Sequence, residues 1–160
     1  MHLLRWQGGK GMPELPFGFD QPEDSPGFLL WQTTVVWQRL IKKVLEPAKV
    51  SHAQFVIMAL LLWSKANNVE TTQVLIAKRS KLDKMTVSVS LKKLVERGLV
   101  SRVEQATDTR AKSVSLTETG AALVHELIPK VERVDALFFK RISKEDQQMF
   151  ISIVTRLAGA

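Results

Sequence analysis

Apolar positions along the chain follow a helical period, switch briefly to strict alternation after residue 98, and return to the helical period after residue 117. From Pro26 to about Leu45, Leu30, Trp37, Ile41 and Val44 share one helical face. Ser25 supplies the N-cap and Pro26 the first helical position. Pro47 stops the run, because a residue preceding proline is driven out of the helical region. A second helix opens at Ser51, with Gln54 completing a capping box, and continues through the apolar run Phe55–Trp63 to about Lys65. That run is far shorter than the roughly 18–20 residues that cross a bilayer, so it reads as a buried core helix. Asn67-Asn68 mark a turn, and Thr71 or Thr72 caps a short helix from Gln73 to Ser80, with Val74, Leu75 and Ile76 inside it.

The next helix spans Lys84 to Arg97 and ends at Gly98 as its C′ residue. Val87, Leu91 and Leu94 form its apolar stripe. Leu99–Val103 and Lys112–Leu116 alternate as half-buried strands do, joined by a polar loop that carries Asp108-Thr109-Arg110. Thr117 caps a long helix from Glu118 to about Arg141, in which Pro129 is expected to kink or interrupt the run. Ser143 and Asp146 resemble another capping box, opening a last helix to about Leu157.

This order predicts a mainly α fold with a small β-hairpin wing: a winged helix-turn-helix flanked by N- and C-terminal dimerisation helices. Residues 1–27, rich in glycine and proline, read as a flexible arm. Residues 28–160 form a single winged helix-turn-helix domain, its DNA-binding part about 51–117 and its dimerisation helices about 28–45 and 118–158. The flanking helices are amphipathic and need somewhere to bury their apolar faces; a twofold homodimer is the economical solution.

Charge sharpens the picture. Residues 71–113 hold ten Lys/Arg against four Asp/Glu, a net of +6 in a chain whose formal charge is +7. Charge concentrated in this way points to a polyanion-binding face rather than to solubility alone. With no cysteine in the sequence, disulfides and thiolate metal sites are excluded. The first residues lack the long apolar stretch of a secretory signal, and no membrane span is present, so a cytoplasmic protein is expected.

From Ser51 to Gly120 the chain resembles the multiple-antibiotic-resistance regulator (MarR) family of bacterial winged-helix transcription factors. The likeness lies in Ser51-x-x-Gln54-Phe55, in Lys84-Met85-Thr86-Val87-Ser88, and in Leu94-Val95-Glu96-Arg97-Gly98-Leu99-Val100-x-Arg102. It continues with Asp108-x-Arg110 and Leu116-Thr117-Glu118-x-Gly120, all in family order and spacing. The resemblance implies a homodimer with interlocked terminal helices and two recognition helices on a pseudo-palindromic duplex operator. It implies that Arg110 reaches into the minor groove and that Asp108 shapes the wing, with Arg102 as its expected partner. Val89 stands where many members carry a DNA-contacting arginine, so base preference does not transfer.

Within the recognition helix, Thr86 and Ser88 are candidates for hydrogen bonds to base edges or phosphates, and Val89 for a thymine methyl. Lys84, Lys92 and Lys93 suit phosphates, and Lys112 flanks the wing. Trp31, His52 and Trp63 are candidate linings of an aromatic ligand pocket, although tryptophans at helical spacing equally suit a core or an interface. His52 and His125 do not amount to a metal site, and no metal or other cofactor is expected. No nucleophile, paired acids or phosphate loop appears in a convincing context, so an enzyme is not expected. The leading reading is a sequence-specific DNA-binding regulator, a homodimeric repressor released by a small ligand. The alternatives are a winged-helix module docking an acidic protein partner and an architectural DNA-binding protein without an inducer.

Overall fold

A computed structural model describes residues 15–104 and 112–159, and the chain divides into two compact units, residues 1–39 and 40–160. Six α-helices and one hairpin follow one another among the described residues: α1 (Pro26–Leu45), α2 (His52–Ala66), α3 (Gln73–Ser80), α4 (Lys84–Glu96), β1 (Val100–Glu104), β2 (Lys112–Leu116), α5 (Glu118–Phe139) and α6 (Lys144–Ala158).

In the first unit, a 3-10 turn at Pro22–Asp24 precedes α1, and Ser25 Oγ accepts a hydrogen bond from the Phe28 N–H at 3.3 Å. Phe28 and Trp31 stack with ring centroids 6.1 Å apart. Of the apolar face expected on α1, Leu30, in the first unit, is 54% exposed, whereas Ile41, in the second unit, is fully buried.

In the second unit the core includes one stripe from each of α2, α3, α4 and α5. Ile57, Met58 and Leu61 of α2 join Ile76 of α3, Val87, Leu91 and Leu94 of α4, and Val124, Leu127 and Val131 of α5 in burial. Burying each such side chain contributes roughly 1.5–3 kcal/mol. Ser51 and Gln54 form the capping box reciprocally: Gln54 N–H donates to Ser51 Oγ at 3.1 Å and Ser51 N–H to Gln54 Oε1 at 3.0 Å. Of the candidate caps before α3, it is Thr72 that accepts the Leu75 N–H at 3.2 Å. Thr71 instead offers its carbonyl to the Val114 N–H at 2.8 Å, which binds the stretch before α3 to the edge of the hairpin.

The hairpin is antiparallel, pairing Val100 with Leu116 and Arg102 with Val114. Its two ends are fixed by glycines of different purpose. Gly98 takes a left-handed conformation (φ 66°) that ends α4. Gly120 lies in the first turn of α5 directly against the Leu99 backbone: a Cβ there would come within 1.9 Å of the Leu99 carbonyl oxygen. Thr117 joins the two by donating its hydroxyl to the Gly98 carbonyl at 2.7 Å while accepting the Gly120 N–H at 3.0 Å. α5 runs unbroken through Pro129, so of the expected kink or interruption it is the interruption that does not occur; the proline costs the helix one backbone donor.

Gly120→Ala gains about 1 kcal/mol of helix propensity but overpacks backbone against backbone, at a cost of about 1–3 kcal/mol. Thermal melting is expected to show a lower Tm for this variant. Gly27→Ala, in α1 with only Ser25 Oγ at 3.9 Å from the added methyl, is expected to leave Tm unchanged or raise it. Equal behaviour of the two variants would contradict the close approach at Gly120.

Candidate nucleic-acid interface

The α3–turn–α4 unit is built by local chemistry. Ser80 Oγ donates to the Ile76 carbonyl at 2.7 Å and accepts the Leu82 N–H at 3.2 Å, and Lys81 turns the chain with a left-handed φ of 58°. Asp83 then caps α4. Its carboxylate accepts the Thr86 N–H at 2.8 Å and the Thr86 hydroxyl at 2.6 Å. The Thr86 hydroxyl, followed by the backbone N–H bonds, holds the Asp83 carboxyl below its usual range. The donors at the start of α4 are therefore partly occupied by the protein's own carboxylate.

At its far end α4 is held by Arg97. The guanidinium donates to the Lys49 carbonyl at 2.7 Å and to the Ala48 carbonyl at 3.0 Å, in the link between α1 and α2. Between these fixings, Val87, Leu91 and Leu94 face inward with no exposure. Lys84, Met85, Val89, Lys92 and Lys93 face solvent, and Thr86 and Ser88 lie part-way between. Met85 (71% exposed) and Val89 (45%) place an apolar strip between lysines on the outward face.

Each sequence-derived candidate now has a place. Lys84, Thr86, Ser88, Val89, Lys92 and Lys93 lie on one helix; the three lysines make no ion pair with another described residue. Thr86 commits its proton to Asp83, which leaves only its oxygen lone pairs for a ligand. Arg102 is exposed on β1, and Lys112 begins β2 opposite Glu104. Asp108 and Arg110 lie outside the described residues. Sequence reasoning missed Met85, four positions before Val89, as well as Asp83 as the cap and the structural role of Arg97. It also counted Arg79 as part of the cationic face, whereas its guanidinium carbon lies 4.8 Å from the centroid of the Trp63 ring.

Of the ligand-pocket candidates, Trp31 is exposed beside Phe28 and belongs to the first unit. Trp63 lines a groove between α2 and α5. His52 begins α2; burial lowers its proton affinity, opposed by the nearby Asp135 carboxylate. Among the described residues, no group of three or more His, Cys, Asp or Glu converges as a metal site. Among the described residues, no single helix is long and apolar enough to cross a membrane.

Comparison with known proteins adds an independent line. The family model of the ArnR1-like winged-helix domain matches residues 46–134. The HTH-type transcriptional regulator YdcH of Bacillus subtilis is 36% identical over 128 residues, spanning 80% of this chain and 87% of that protein. Bordetella bronchiseptica BpsR, whose DNA binding is regulated by 6-hydroxynicotinic acid, superposes with a TM-score of 0.79 at 23% identity, covering 91% of this chain and 99% of BpsR. A variant of E. coli MarR complexed with operator DNA matches with a TM-score of 0.73 at 23% identity, covering 84% of this chain and 95% of that one.

The Asp83 cap generates a pH prediction. A carboxylate whose folded pKa is depressed stabilises the folded state above its unfolded pKa, and that contribution is lost as pH falls through the folded value. Asp83→Ala is expected to lower Tm at neutral pH, with the difference from the unmodified protein narrowing on acidification. A Tm gap that stays constant from neutral to strongly acidic pH would show that the carboxylate charge plays no part in holding α4.

Proposed function

The chain belongs to the ArnR1-like winged-helix family and is a transcriptional regulator with the MarR-type DNA-binding fold, not an enzyme; from that premise we propose that it is a homodimeric repressor released by a small ligand. The observation that carries the DNA contact is the outward face of α4, where Lys84, Lys92 and Lys93 surround Met85 and Val89. Lysines are suited to phosphates, which position the helix; Ser88 and Val89 are suited to base edges in the major groove. Arg110 in the wing is the candidate for the adjoining minor groove, where a narrow A·T-rich segment attracts guanidinium.

The homodimer is supported by what the protomer leaves unburied. No residue of α6 is buried, and Met149, Phe150, Ile151, Ile153 and Leu157 are exposed on it. A hollow of about 530 Å³ between the end of α1 and α5 is lined by Leu40, Val44, Val134, Leu137 and Phe138. Apolar surface on this scale favours association, and the surface that best matches it in a symmetric assembly is the same surface on a second copy. Two recognition helices must then stand roughly 34–36 Å apart to enter successive major grooves on one face of a pseudo-palindromic site. A ligand that binds one spacing better than the other shifts that equilibrium and releases the DNA. Such a target puts the place of work in the cytoplasm.

Salt titration tests the phosphate contacts. Three lysines on each of two recognition helices give a slope of log K against log[salt] of at least about −5. Lys92→Ala/Lys93→Ala is expected to make that slope shallower by about 3–4. Arg110→Ala is expected to weaken operator binding while sedimentation still shows a dimer. Absence of any salt slope, or of binding to random duplex DNA at low salt, would instead favour docking of an acidic protein.

A further inference from the structure

We propose that Met85 and Val89 form a reader of pyrimidine C5-methyl groups, so that α4 selects its site by thymine methyls and accepts 5-methylcytosine in their place. This rests on the DNA-binding reading above and names the feature of the duplex that the helix selects. The inference starts from what α4 lacks. From Lys84 to Glu96 it carries no Asn, Gln, Arg or His. The planar forks of Asn, Gln and Arg pair bidentately with adenine or guanine edges, and α4 offers none of them. Its hydroxyls do not make up the loss: Thr86 donates its proton to Asp83, Ser88 is half-buried and Ser90 is buried.

What α4 presents instead is apolar. Single exposed apolar residues are ordinary on any protein surface. Met85 and Val89 are different, because both are exposed and stand four residues apart, so they adjoin on one helix face. Lys84, Lys92 and Lys93 are exposed around them and suit the flanking phosphates, which sets the apolar strip against the floor of the major groove. The apolar group that base edges display there is the thymine C5-methyl. A 5-methylcytosine carries the same methyl on the same ring carbon.

Helix geometry spaces the two contacts. Four residues rise about 6 Å along the axis, which matches about two base-pair steps. The two methyls of a half-site therefore lie within about two steps of one another. Val89, stiff at χ1, fixes the place of one methyl, and the unbranched Met85 adapts to the other. Burial of one methyl is worth about fourfold in affinity. Occupancy of a site with cytosine at either position then depends on whether that cytosine is methylated. The minor groove displays no C5-methyl, so this selectivity belongs to α4 and not to the wing.

The test uses the full chain and a duplex that it selects from a random library, remade with each thymine in turn replaced by uracil, which removes only the methyl. Binding is followed by fluorescence anisotropy. Uracil at two thymines of each half-site, within about two steps of each other, is expected to weaken binding about fourfold per methyl. Cytosine at one of these positions is expected to bind more weakly than thymine, and 5-methylcytosine to recover about fourfold over cytosine. Met85→Ala is expected to make binding indifferent to uracil at one position and Val89→Ala at the other. Both residues are exposed, so circular dichroism should be unchanged. Uracil tolerated throughout, or a uracil sensitivity that survives in both variants, would overturn the methyl reading. Equal binding of cytosine and 5-methylcytosine would overturn its extension to methylated DNA. Recovery of no duplex from the library is a different failure: it would remove the DNA-binding reading itself, and this proposal with it.

Discussion

A helix that reads DNA must keep its outward face fixed, because each residue of slip rotates the side chains by about 100°. α4 is fixed in three ways. Val87, Leu91 and Leu94 are fully buried, so any rotation would expose apolar surface worth roughly 1.5–3 kcal/mol per side chain. Asp83 closes its first turn, and Arg97 fastens its end to the Ala48 and Lys49 carbonyls. What remains free is the face that carries Met85, Val89 and the lysines.

The cations of the 71–113 segment divide their labour by chemistry. Arg97 uses its planar fork to satisfy neighbouring carbonyl groups, which an ammonium could not span with the same geometry. Arg79 places its guanidinium carbon 4.8 Å from the centroid of the Trp63 ring, a cation–π contact that a guanidinium makes readily. The lysines of α4 are point charges on flexible stems and make no ion pair with another described residue, which suits them to phosphates. Charge counting along the chain locates the cationic segment; only the packed structure separates structural arginines from lysines available to a ligand.

The same distinction explains how much could be read in advance. Most helix boundaries were legible because their signals are local: Ser51 with Gln54, Ser143 with Asp146, Thr117 before Glu118, and Gly98 after α4 all act within a few residues. The stripe of Val87, Leu91 and Leu94 was legible because helical periodicity fixes it. Arg97 bonds to residues 48 and 49 positions away, and Arg79 meets Trp63 across two helices, so no local pattern announces either contact. Asp83 was hidden by its place in a turn also rich in lysine. Leu30 was read as a face residue from its period alone, yet periodicity cannot say whether a face meets the protomer's own core or a surface outside it.

Footprinting of the protein on its operator tests the central claim most directly. Guanine N7 protection in two major grooves about one helical turn apart, on the same face of the duplex, is the predicted result, and it should be lost in Val89→Glu, an exposed substitution that leaves the core untouched. Protection confined to the minor groove, or unchanged by Val89→Glu, would contradict the assignment of α4 as the reading helix.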